Sequence, residues 1–140
     1  MITIYVFGNV PSPVRNVSRD LRALWAAEEC GLTYRLHPLD FARGELKGPD
    51  YARVNPFGKI PASADDGFTL FESASIVLYL AEKAGRLLPE NPRDRTLAVQ
   101  WAFGAIIDMW PASVPGGYAA EGYGAAFAGQ AALQALGLVW

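Results

Sequence analysis

The sequence has one cysteine and one histidine in 140 residues, and that scarcity removes several chemistries at once. A single thiol, Cys30, excludes a disulfide within the chain and any Cys-x-x-Cys pair, and it suits a reducing compartment. Without paired cysteines or histidines there is no ligand set for a metal. His37 falls within a strand-like run and reads as a packing or surface residue. Cys30, beside Gly31, reads as a buried, inert thiol. Neither a Ser-His-Asp arrangement nor a phosphate-cradling glycine loop is present. Charge of one sign is also lacking: a net charge of −2 leaves no basic footprint for nucleic acid. No apolar stretch reaches membrane-spanning length, and MITIYVFGNVPSP lacks the basic start of a signal peptide. The expectation is a cytoplasmic protein with a small ligand or another protein as partner, no nucleic acid and no membrane.

What is present supports a folded domain, with 51% apolar and 19% charged residues. Ile2 to Phe7 is a β-branched and aromatic run closed by Gly8-Asn9, a buried strand. A proline-bearing loop, Val10 to Asn16, precedes a helix from Ser18 to Cys30 with Leu21, Leu24 and Trp25 on one face. Thr33 to Leu39 reads as a second strand, completing a parallel βαβ unit. Phe41 to Val54 is irregular, with one helical turn near Pro49-Asp50-Tyr51. Strands near Ile60–Ala64 and Phe68–Phe71 flank Asp65-Asp66-Gly67 as an antiparallel hairpin. A helix from Ser73 to Ala84 follows, striped by Ile76, Val77, Leu80 and Ala84 and ended by Gly85. Asn91 and Pro92 open another helix, Arg93 to Met109. After Asp108 the composition turns to alanine and glycine, with Glu121 the one charged residue. Ala125 to Leu138 could coil into a helix but has no polar face. The fold class is α/β: a βαβ-ββα mixed sheet followed by an incomplete all-α segment.

Two dipeptides stand out beside the hairpin. A strand opening at Ile60-Pro61 leaves peptide groups unpaired at its end. If the Ile60-Pro61 bond is cis, Ile60 turns its N–H and C=O outward to an extended peptide; a trans proline would merely begin an edge strand. Ser73 stands at a helix start, where unpaired N–H groups attract carboxylates, and Glu72 can receive an ammonium. Together they suit the charged end of a free amino acid, although an ordinary cap beside a solvated glutamate has the same sequence. Ser18, at the start of the first helix, is either an N-cap or a hydroxyl that stabilises a ligand thiolate, with Arg15 or Arg19 nearby.

Taken together, NPFGKIPA and DDGFTLFESASIVLYLAEK resemble the N-terminal, thioredoxin-like domain of cytosolic glutathione S-transferases. The first helix, SRDLRALWAAEECGL, is similar as well. The resemblance implies that Ile60, before a cis Pro61, pairs with the cysteinyl backbone of glutathione. Glu72 and Ser73 would hold the γ-glutamyl end, and Lys59 would neighbour the glycyl carboxylate. By the serine-type pattern Ser18, ten residues before Glu28, matches the thiol-activating serine; Ser12 fits only with a shifted helix, and Tyr5 lies inside the strand. The loop from Val10 to Val17 is longer than that pattern has. The missing active-site cysteine argues against thiol-transferase members.

The organisation expected is a thioredoxin-like glutathione-binding domain over 1–85, a linker over 86–92, and a truncated remnant of a helical domain over 93–140. A truncated or frame-shifted chain would account for the change of composition. The function implied is transfer of glutathione thiolate to an electrophilic small molecule, with glutathione as co-substrate, no metal, and a homodimer as the assembly the family allows. The alternative is a non-catalytic glutathione-binding or protein-interaction module. A third outcome is an unfolded fragment, because apolar residues around Trp101 lack partners.

Overall fold

β1 (Ile2–Phe7) is built from β-branched and aromatic residues and takes the centre of a four-stranded sheet of order β2-β1-β3-β4. The computed structural model describes residues 1–9 and 18–109. The chain divides after Leu88, so the first unit is Met1–Leu88 and the second begins at Pro89. Ser12, the loop before α1 and the alanine- and glycine-rich region from 110 onward lie outside the described residues, as does the helix considered for Ala125 to Leu138.

β1 runs parallel to β2 (Tyr34–Leu39), from Ile2 opposite Tyr34 to Phe7 opposite Leu39. It runs antiparallel to β3 (Ala62–Asp65), with Tyr5 opposite Ala62. β3 in turn pairs with β4 (Phe68–Phe71), Ala62 opposite Phe71 and Asp65 opposite Phe68. The hairpin loop is therefore Asp66-Gly67 alone, and both residues have positive φ, 48° and 85°. That pair of left-handed residues matches the twist of the strands. Asp65, expected in the turn, instead closes the β3 ladder and is buried.

One face of the sheet carries α1 (Asp20–Glu29) and α3 (Ser73–Ala84). Ile2, Ile4 and Val6 meet Ala23, Ala26, Ala27, Ile76 and Leu80 there. The expected Leu21-Leu24-Trp25 stripe is corrected by this packing. Leu21 and Trp25 are 43% and 55% exposed, while the alanines are fully buried and Leu24 only borders the core. Small side chains let the helix lie close to the sheet. In α3 the expected residues Ile76 and Leu80 do face the core, joined by Ala81. The opposite face packs Leu39, Leu46, Tyr51, Ile60 and Ala62, with the short α2 (Pro49–Ala52) supplying Tyr51.

In the second unit, Asn91 caps α4 (Pro92–Gly104), its side chain accepting from the N–H groups of Arg93 and Asp94 at 2.9 and 3.3 Å. The helix expected to run to Met109 changes to a π-helical turn over Ala105–Met109. Leu97, Trp101, Phe103 and Ile107 are exposed.

Candidate functional site

The sheet register brings the two dipeptides together. Ala62 and Phe71 form a rung, so Pro61 and Glu72 are the next residues beyond it on neighbouring strands. Ile60-Pro61 and Glu72-Ser73 therefore leave the sheet at the same end. Tyr5 lies across from Ala62 on the other side, which carries the end of β1 to that region too. The Ile60-Pro61 bond is cis, and Ile60 lies just outside the ladder, which starts at Ala62.

The loop ahead of Ile60 is held by side chains that the sequence did not single out. The carbonyl of Lys59 accepts from the Tyr51 hydroxyl and from Asn55 Nδ2, both at 2.7 Å. Asn55 Oδ1 also accepts from the N–H of Phe57 at 3.0 Å. Burial pushes the Tyr51 phenol up to about 12, against a smaller downward effect of Asn55, so it remains a donor at neutral pH. Gly58 has a φ of +60°, and a Cβ there would meet the Leu46 carbonyl oxygen at 2.6 Å and Lys47 Cδ at 3.4 Å. The Lys47 stem thus lies over Gly58, one residue from Lys59, and both lysines are exposed. Only the folded loop reveals Lys47 as a neighbour.

Glu72 is exposed and adopts φ 71° and ψ 121°, outside the regions ordinarily open to a residue with a Cβ. Its carbonyl accepts from the N–H of Ile76 at 3.1 Å, opening α3, while its side chain makes no cap bond. Ser73 is buried, and its Oγ accepts from Arg22 Nη1 at 3.2 Å. Burial, and then Arg19, lower the pKa of Arg22, yet a guanidinium keeps its charge at neutral pH.

Ser18 does not cap α1: the N-cap position is Arg19, in a helical conformation and without a side-chain cap. The Ser18 hydroxyl donates to Asp20 Oδ1, and Asp20 Oδ2 accepts from the N–H of Phe7 at 3.4 Å. In this arrangement the hydroxyl proton points to a carboxylate, and donation to a thiolate requires it to turn away. Tyr5 packs between His37 and Tyr51, with ring centroids 4.8 and 5.5 Å away. His37 is exposed, and it lines with Tyr5, Tyr51 and Asp50 an open cleft of about 460 Å³. Cys30 is buried at the C-terminal cap of α1. Among the described residues, no cluster of histidine, cysteine and carboxylate could hold a metal, and no helix is long and apolar enough to cross a membrane.

The profile of the glutathione S-transferase N-terminal domain matches residues 21–83. Those residues are a glutathione S-transferase N-terminal domain. The chain is 41% identical over 91 residues to the disulfide-bond oxidoreductase YfcG of Escherichia coli, covering 60% of this chain and 42% of that protein. Glutathione S-transferase 1 of Triticum aestivum is 37% identical over 115 residues, covering 79% of this chain and 45% of the relative. Among solved structures, the theta class glutathione S-transferase of Xanthomonas axonopodis pv. citri with glutathione bound superposes with a TM-score of 0.66 at 32% identity. That superposition covers 79% of this chain and 51% of the other. The chain thus spans less than half the length of these two curated relatives. The mixed sheet with helices on its faces is the thioredoxin-like fold of this family.

Proposed function

We propose that this chain binds glutathione where Ile60-Pro61 and Glu72-Ser73 leave the sheet, and presents its thiolate to an electrophilic carbon. The observation that carries the reading is the Ala62–Phe71 rung, which sets a peptide-pairing strand end beside a carboxylate and a hydroxyl. The Ile60 backbone pairs with the cysteinyl unit, and Pro61 shapes that edge. Glu72 receives the γ-glutamyl ammonium and Ser73 its carboxylate. Lys59, joined by Lys47, attracts the glycyl carboxylate. Ser18 is the candidate donor to the thiolate once its hydroxyl turns from Asp20. In the reaction the sulfur lone pair forms a C–S bond, and the leaving group departs with its bonding electrons.

Calorimetric titration with glutathione tests the binding step. Glu72→Ala should weaken binding about tenfold, the loss of one charge-assisted contact; an intact protein that does not bind removes the basis of the assignment. Conjugation of an aryl halide tests the transfer step, and binding without conjugation favours a non-catalytic glutathione-binding module. A second reading follows from the likeness to a disulfide-bond oxidoreductase. With Cys30 buried, the reacting thiol would be glutathione's own, and turnover of a disulfide without conjugation would favour it. A cytoplasmic setting belongs to the same proposal, as does a homodimer, which sedimentation would test.

A further inference from the structure

We infer that Arg22 is a positioning residue for carboxylate recognition, acting through Ser73. The inference rests on the glutathione reading, and it starts from one contact that joins α1 to α3 across 51 positions of sequence, Arg22 Nη1 donating to Ser73 Oγ at 3.2 Å. A serine oxygen can accept and also donate its single proton. With a lone pair of Ser73 engaged by a guanidinium, the hydroxyl is oriented and polarised, and its proton remains to be given to a ligand. The ligand atom that suits such a proton is an anionic oxygen. Ser73 is itself 2% exposed, so it cannot swing freely to serve other partners. A buried hydroxyl backed by a positive charge selects a carboxylate over an amide or a methyl group at this place.

The consequence is a division of labour within the γ-glutamyl subsite. Glu72 is exposed and meets the ammonium from the rim. Ser73 meets the carboxylate from beneath, and Arg22 sets its direction without touching the ligand. Arg22 therefore determines whether the carboxylate is required, more than how tightly the remainder of the tripeptide is held.

Two ligands distinguish this from a general structural role: glutathione, and γ-aminobutyryl-cysteinylglycine, which lacks only the α-carboxylate of the γ-glutamyl unit. Titrations use the full chain as wild type, Arg22→Gln, Ser73→Ala and the double variant. Arg22→Gln should weaken glutathione about tenfold, in the range of other orienting partners, and leave the decarboxylated analogue within about twofold. The losses of Arg22→Gln and Ser73→Ala should not multiply in the double variant, since both act on one contact. Arg22→Lys, which keeps the charge and a donor, should recover part of the loss. Equal weakening of both ligands by Arg22→Gln, or multiplicative losses, overturns the positioning role while leaving glutathione binding intact. Wild-type protein that binds neither ligand overturns the glutathione reading, and the inference with it.

Discussion

Glu72 has a backbone that its side chain does not favour. A φ of 71° with ψ 121° suits glycine, and a residue with a Cβ held there costs about 1–3 kcal/mol. Strain of this kind persists where surrounding contacts over-determine the geometry, and here it sits between the β4 ladder and the first turn of α3. Glu72→Gly should therefore raise the free energy of unfolding by about 1 kcal/mol, after the extra chain entropy of glycine is deducted. Glutathione affinity should fall in the same variant, because the carboxylate is gone. Urea denaturation beside calorimetry checks both halves, and a destabilised Glu72→Gly would show that no strain is held there. Asp65 offers a contrasting residue. It accepts from the Tyr79 hydroxyl and pairs with Lys83 Nζ, each at 2.7 Å, and these hydrogen bonds, Lys83 first, hold its carboxyl below the usual range. A depressed folded pKa contributes stability that is full above the unfolded value near 4 and is lost as pH falls through the folded value. The Lys83 ammonium is shifted upward, chiefly by its bond to Asp65, so its share is full below the ordinary lysine value near 10.4 and is lost as pH rises through the folded one. Asp65→Asn should be less stable at pH 7 and should lose less than wild type on acidification to pH 3. Parallel slopes in a denaturation series would rule this out.

At the scale of elements, α1 shows where local pattern and packing part. Its large apolar residues suggested the buried face, yet the sheet takes Ala23, Ala26 and Ala27 and leaves Trp25 outside. Hydrophobicity marks which residues favour burial; it does not say how close two elements come. Ala26→Leu should cost about 1–3 kcal/mol by overpacking, while Trp25→Gln should stay within about 0.5 kcal/mol. Thermal unfolding of the two variants would reverse the assignment of faces if their order were exchanged. The same distinction explains what could be read elsewhere. β1, the hairpin and the ends of α3 are written in β-branched runs, an Asp-Gly turn and a closing Gly85, all of which act locally. That Ile60-Pro61 precedes a strand and Glu72-Ser73 opens a helix was legible for the same reason. Asp65 was not, because beside Asp66-Gly67 it has the chemistry of a turn residue. Only the register of β3 against α3 reveals it as the partner of Tyr79 and Lys83. Arg22, Lys47 and Asn55 escaped notice because each acts on a partner that the fold brings near.

Across the molecule, glutathione bound at the proposed site would touch segments far apart in sequence: the entrance to β3, the junction of β4 with α3, and the start of α1. The first unit alone contains all of them. Glutathione bound there would link the two helices that cover one face of the sheet to the loop that covers the other. Its binding energy would then appear as stability of the whole unit, because unfolding any of these elements would release it. At a concentration a hundred times its dissociation constant, glutathione should add about 2.7 kcal/mol to global unfolding. Hydrogen exchange locates the effect: slowly exchanging amides of β1, β3, α1 and α3 should gain protection together, by about a hundredfold at that excess. Protection confined to the loop over 55–61 would mean that the ligand engages a local surface instead of the junction between these elements. No change at any amide, at a concentration that saturates wild-type binding, would mean that glutathione binds outside this unit.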